Sequence, residues 1–225
     1  MFENRARPIA VGPKTHGDAF ERSLGARLPA DIELVEGLVR GHSPNLAKSD
    51  FDFVVARVFS HLHAIRLRFP TRESIQGKRI LDLACGSTAY RENNRGSHDP
   101  WMPRLLLKLG AHPVGVDAEG QAGERFEFHK ADLLRCDALS FLETASLDSY
   151  YVKAFPPKKT IEAISEYRLN WPSIRDNLLL HLNRALKPGC LPICTFDETT
   201  ERFVQEHYRP PPPPHWRRFL EDDDF

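Results

Sequence analysis

The stretch KRILDLACGSTAY, residues 78–90, decides how the chain is read. Ile80, Leu81, Leu83 and Ala84 are apolar and surround one acid, Asp82, before a Cys-Gly-Ser-Thr turn interrupts the run. A short apolar run bounded by small turn residues predicts a buried strand over 79–84. An acid at Asp82 can anchor the amides of the following loop or meet a cationic ligand group. The small residues that follow, Ala84, Gly86 and Ser87, would let a ligand approach the backbone closely.

Downstream, short apolar runs alternate with helical patterns. Residues 100–110, PWMPRLLLKLG, read as a helix with Asp99 as N-cap, Pro100 in the first turn and Gly110 just past the end. HPVGVD (112–117), RFEFHKAD (125–132) and LDSYYVKAF (147–155) read as strands. SIRDNLLLHLNRALKPG (173–189) reads as a helix capped by Ser173, with Leu178, Leu179, Leu182 and Leu186 facing inward and Lys187-Pro188-Gly189 closing it. LPICTF (191–196) predicts a fifth strand. Strands separated by helices imply parallel pairing, hence a doubly wound α/β sheet.

In such sheets ligands bind outside the carboxyl ends of the strands. Three successive strands each bring an acid to that edge: Asp82, Asp117 and Asp132. Core packing has no need of three mutually repelling carboxylates, so together they predict a binding site. Asp117 stands where an acid can accept hydrogen bonds from ribose hydroxyls.

Upstream, residues 1 to about 25 are polar and rich in turn formers, and predict a loose arm. PADIELVEGLVR (29–40) spaces Ile32, Leu34, Val35, Leu38 and Val39 as a helix, with Gly41 as its stop. A longer helix follows, with Phe51, Val54, Val55, Val58, Phe59, Leu62 and Ile65 in one stripe, Ser49 or Asp50 as cap and Pro70 as terminator. His61 and His63 lie two apart and do not share a helical face, so they read as structural or surface residues. The expected organisation is an arm and packing helices over 1–75, an α/β domain over 76–197, and a helix, polyproline run and acidic tail over 198–225.

Composition narrows the function classes. With 31 basic and 31 acidic residues the formal charge is zero, against the basic excess expected of a nucleic-acid binder. No apolar run approaches the roughly 18 residues of a membrane span, and the N-terminus shows no apolar signal region. The four cysteines, Cys85, Cys136, Cys190 and Cys194, lack paired CxxC spacing. The expectation is a cytoplasmic protein with reduced thiols and no zinc site. There is no G-x-G-x-x-G after the first strand, and no Walker lysine, G-x-S-x-G elbow or H-E-x-x-H.

The segments ILDLACGSTAY, GAHPVGVDAEG, FHKADLL and NLLLHLNRALKPGCLPICTF, over roughly residues 75–197, resemble the class I S-adenosylmethionine-dependent methyltransferases. Against that family's first motif, Asp/Glu-x-Gly-x-Gly-x-Gly, Asp82 matches the acid and Gly86 the central glycine, while Ala84 and Thr88 replace the outer glycines. The resemblance implies a Rossmann-like methyltransferase fold with S-adenosylmethionine as cofactor. It implies that the loop from Ala84 through Cys85, Gly86 and Ser87 to Thr88 cradles the methionine end. It implies that Asp117, followed by Ala118, binds the ribose, and that Asp132 and Leu133 lie beside the adenine. Tyr90 is a candidate for the cofactor's carboxylate.

Departures from the family pattern are also legible. Gly86 and Asp117 are 31 positions apart, against about 20 in compact nucleotide folds; the surplus, RENNRGSHDP, reads either as a lid or as a surface insertion. After the fourth strand AFPPKK lacks the polar residue that amine-methylating relatives carry before Pro-Pro. No hairpin follows Phe196, so the sheet is expected to be short. Pro210 to Pro214 must be extended, and read as a spacer or as a candidate contact for a protein partner. The expected function is methyl transfer to a small-molecule or protein acceptor. The alternative is a non-catalytic protein that keeps the fold and acts as a binding module. Tyr150, Tyr151 and Lys153 lie near the fourth strand's end, but alternation lets only some of them face the crevice.

Overall fold

The computed structural model describes residues 29–89, 96, 98–152, 166 and 169–194. Its elements are α1 (Pro29–His42), α2 (Lys48–Arg68), the one-turn α3 (Arg72–Ile75), β1 (Arg79–Leu83), α4 (Trp101–Lys108), β2 (His112–Asp117), β3 (Glu127–Lys130), β4 (Ser149–Val152) and α5 (Trp171–Ala185). The strands form a four-stranded sheet in the order β3-β2-β1-β4, parallel throughout. The fold is α/β.

Alternation along β1 divides the core in two. Leu81 and Leu83 join Val114, Val116, Tyr150 and Val152 on one face, under Trp171, Leu178 and Leu182 of α5. Ile80 and Tyr151 turn to the other face, where α1, α2 and α4 supply Val35, Val58, Leu62, Trp101 and Leu105. The α2 stripe is buried as its spacing predicts, apart from half-buried Phe51. Residues 29–75 thus share a core with the sheet.

Several local expectations are corrected. Gly41 lies inside α1, which continues to His42. The N-cap of α2 is Ala47, without a side-chain cap, because α2 begins a residue before Ser49 and Asp50 can flank it. Asp99 does not cap α4; Pro100 is the N-cap, and the Asp99 carboxylate binds Arg104 instead. In α5 the cap is Asn170, whose side chain accepts from Ser173 N–H, because Pro172 starts the helix earlier. Gly110 and Gly189 do stand just beyond helix ends with positive φ.

Among the described residues, of the connections between successive strands of the four-stranded sheet, that from β1 to β2 alone contains a helix. The connections 118–126 and 131–148 contain turns and no helix. In the first, Gly120 and Gly123 lower helix propensity. In the second, Asp132 Oδ1 accepts from Leu134 N–H at 3.0 Å and starts a turn. The expected fifth strand is reduced to a bridge of Cys194 against Tyr151, held by Ile193 N–H to Tyr150 O and Val152 N–H to Cys194 O. Residues 195–196, the rest of that strand, lie outside the described residues, as do Tyr90, Lys153, the segment 155–158, the expected helix 199–208 and the polyproline run. No helix among the described residues is long and apolar enough to cross a membrane.

Candidate functional site

The carboxyl ends of β1 and β2 carry the turn that opened the sequence reading. Ala84 adopts φ +57° and Gly86 φ +88°, so the chain passes twice through the left-handed region within three residues. At Gly86 a Cβ would lie 2.2 Å from the His98 carbonyl oxygen, so the chain itself excludes any side chain there.

This turn is fastened to the loop after β2. Asp117 Oδ2 accepts from Gly86 N–H at 2.9 Å, and Oδ1 accepts from Glu119 N–H at 3.3 Å. Ser87 Oγ donates to Gly120 O at 2.5 Å, and Ser87 N–H donates to His98 O at 2.7 Å. Gln121 Nε2 donates to Gly86 O, while its Oε1 is buried with no partner among the described residues. Arg104, itself buried, reaches Asp99 at 2.6 Å and Glu124 at 2.7 Å, tying the start of α4 to the same loop.

Beside the turn lies a cavity of about 140 Å³ lined by Arg57, His61, Asp82, Ala84, Cys85, Asp99, Trp101, Met102 and Tyr151. Asp82 is 3 % exposed and borders this space. No hydrogen-bond donor among the described residues meets its carboxyl group. Burial, opposed by the Arg57 charge and reinforced by the Asp117 charge, pushes its pKa well above the usual carboxylate range. A cationic ligand group would reverse that balance. Burial also drives the Cys85 thiol far up, which leaves it without nucleophilic character; its sulfur lies against Gly115, where a Cβ would approach within 2.9 Å.

Among the residues expected at the site, Asp82, Ala84 and Cys85 line the cavity, and Gly86, Ser87 and Asp117 are bound together beside it. Ala118 is exposed just after β2. Asp132 is exposed and supports its own turn, and Leu133 packs into the core on the α5 face. Neither lines the cavity.

Sequence reasoning missed five cavity residues and left a sixth undecided. Arg57, Asp99, Trp101 and Met102 were not singled out for the site. His61, read as structural or surface, is buried, and its Nδ1 lies 2.8 Å from Tyr151 Oη. Strand alternation settles the two tyrosines: Tyr151 faces the cavity and Tyr150 the opposite core. His61 and Tyr151 are 90 positions apart, so no local spacing signals the pair. Among the described residues no group of three His, Cys, Asp or Glu side chains gathers to hold a metal ion. No family model matches the chain, and no curated protein matches it.

Proposed function

We propose that the protein is an S-adenosylmethionine-dependent methyltransferase of Rossmann-like fold. The observation that carries this reading is Asp82: a buried carboxyl at the end of the central strand, facing a cavity, with no donor on it among the described residues. The cofactor's ammonium group would supply a donor to that carboxyl, beside the Arg57 charge that already acts on it. The left-handed turn Ala84–Ser87 would run beside the methionine portion. Asp117, already oriented by Gly86 N–H, would take the ribose hydroxyls. The sheet order β3-β2-β1-β4 puts these strand ends side by side.

The chemistry that the cofactor supplies is a sulfonium methyl activated for transfer. The protein's part is to hold the acceptor in line with it and to exclude water. Asp82 orients by charge, Asp117 by hydrogen bonds, and Trp101 and Met102 give the cavity an apolar wall.

Calorimetry with S-adenosylmethionine and S-adenosylhomocysteine tests the reading. Both should bind, and Asp117→Ala should weaken binding by about 1–3 kcal/mol through loss of hydrogen bonds to a carboxylate. Unchanged affinity in a folded variant would remove Asp117 from the site. The size of the cavity favours a second reading, a non-catalytic protein that keeps the fold. About 140 Å³ is below the roughly 300–1,000 Å³ of most small-molecule pockets. That reading predicts no heat with either ligand.

A further inference from the structure

We propose that the groove at the amino-terminal edge of the sheet is a second binding site, for a small ligand that carries an oxyanion head on an apolar ring. It stands apart from the cavity beside Asp82 and does not depend on the methyltransferase reading.

The groove has a volume of about 510 Å³, inside the roughly 300–1,000 Å³ of most small-molecule pockets. Arg79, His112 and Glu127, the first residues of β1, β2 and β3, all line it. Arg79 and His112 are paired in register, so their side chains leave the same face of the sheet. Asp82 and Asp117 stand toward the other ends of β1 and β2.

Charge decides the head group. Two carboxylates line the groove, and both are already matched. Glu127 accepts from Arg79 Nη2 at 2.8 and 2.9 Å. Asp148 accepts from Lys187 Nζ and from Arg79 N–H, each at 2.9 Å, and from Lys78 Nζ at 3.5 Å. Arg125 lines the same groove, is exposed, and makes no hydrogen bond or ion pair with a described residue. Lys78, Arg79, Arg125 and Lys187 therefore outnumber the two acids, in a chain whose formal net charge is zero. A guanidinium presents a planar fork of donors that a carboxylate or phosphate can meet with two parallel hydrogen bonds. The exposed ring of His112 adds an N–H donor in either neutral tautomer.

The body of the ligand follows from the apolar wall. In α4 the side chains from Trp101 to Leu106 are buried, whereas Leu107 is 39 % exposed, and it lines this groove. Pro113 and the half-buried Phe126 line it too. A ring laid against these side chains removes apolar surface from water, while its head meets Arg125. A cationic ligand would face the surplus positive charge, and a neutral one would desolvate Arg125 without pairing it.

The test is calorimetry on the full chain at low salt, where exposed charges are least screened. The probes are phenyl phosphate and benzoate, their ringless counterparts inorganic phosphate and acetate, and the controls benzyl alcohol and benzylamine. Phenyl phosphate or benzoate should bind at least tenfold more tightly than either control, and the tighter of the two names the head group. Arg125→Gln should weaken that anion about tenfold and keep the wild-type melting temperature, because the side chain holds nothing else in place. Leu107→Ser should weaken the ring-bearing anion several-fold and leave its ringless counterpart unchanged, a separation that charge alone would not produce. Failure of both ring-bearing anions to bind overturns the site. Unchanged affinity in folded Arg125→Gln puts the anion elsewhere, beside Arg57 for example, and overturns it as well. A control that binds as tightly as the anions overturns the head group.

Discussion

Asp82 sets stability against binding at a single side chain. Its pKa is raised by burial, then lowered in part by Arg57 and raised further by Asp117. The folded state therefore binds a proton more readily than the unfolded chain, whose aspartates titrate near pH ~3.9. Stability is highest below that pH and falls as pH climbs from there toward the raised folded pKa. Asp82→Asn removes the charge and keeps the shape. It should raise the melting temperature at pH 8 by about 2–4 °C per kcal/mol gained, with the gain vanishing near pH 4. Thermal unfolding across that range checks the sign, and a variant less stable at pH 8 would contradict it. The same substitution should abolish the heat of S-adenosylhomocysteine binding. A residue retained at a cost to the fold, at the edge of a cavity, is the pattern expected of a binding group.

At the scale of elements, the β1–α4 connection depends on Gly86 for a reason internal to the chain. Its φ of +88° and the His98 carbonyl 2.2 Å from any Cβ forbid even alanine without a shift of backbone. Gly86→Ala should cost about 1–3 kcal/mol for the left-handed strain alone, and more for the clash. It should be seen as a melting temperature several degrees lower and a loss of ligand heat. An unaltered melting temperature would mean the turn has another shape. The elements themselves were largely legible in the sequence. HPVGVD was read to the residue as β2, because its apolar run ends on an acid and is bounded by Gly110 and a glycine-rich loop. The caps were not, because cap residues have competing partners. Asp99 prefers the Arg104 guanidinium to a backbone N–H, and Asn170 reaches Ser173 N–H before Ser173 can act as a cap. Asp82 and Asp117 were legible as acids at strand ends. His61 and Tyr151 were not, because what joins them is the packing of α2 across β4.

Across the whole molecule, the amino-terminal edge of the sheet is gathered by Asp148. Its carboxylate accepts from Arg79 N–H at 2.9 Å, from Lys187 Nζ at 2.9 Å and from Lys78 Nζ at 3.5 Å. It thereby joins the start of β1 to the segments before β4 and after α5. Burial alone would raise its pKa, but Lys187, the Arg79 amide and Lys78 together outweigh burial and hold it below the usual value. A depressed folded pKa contributes stability that is fully present above the unfolded value near ~3.9 and is lost as pH falls through the folded one. Asp148→Asn should therefore melt earlier than wild type at pH 7, by an amount worth about 1–3 kcal/mol, and the two curves should converge below about pH 3. The lysines are half in solvent, so screening reduces what the two ion pairs contribute. Curves that stay parallel down to acid pH would show that the carboxylate charge is not what holds this edge.

The hydrogen bonds that join Gly86 and Ser87 to Asp117, Gly120 and Gln121 have a kinetic meaning. A molecule that must pass between the two loops can enter only while those contacts are open. Its apparent affinity is then the intrinsic affinity scaled by the open fraction. Its capture rate levels off at the opening rate instead of rising without limit with concentration. Departure meets the same gate. For a molecule that takes that path, the seam between Ser87 and Gly120 would set how often the site exchanges its contents.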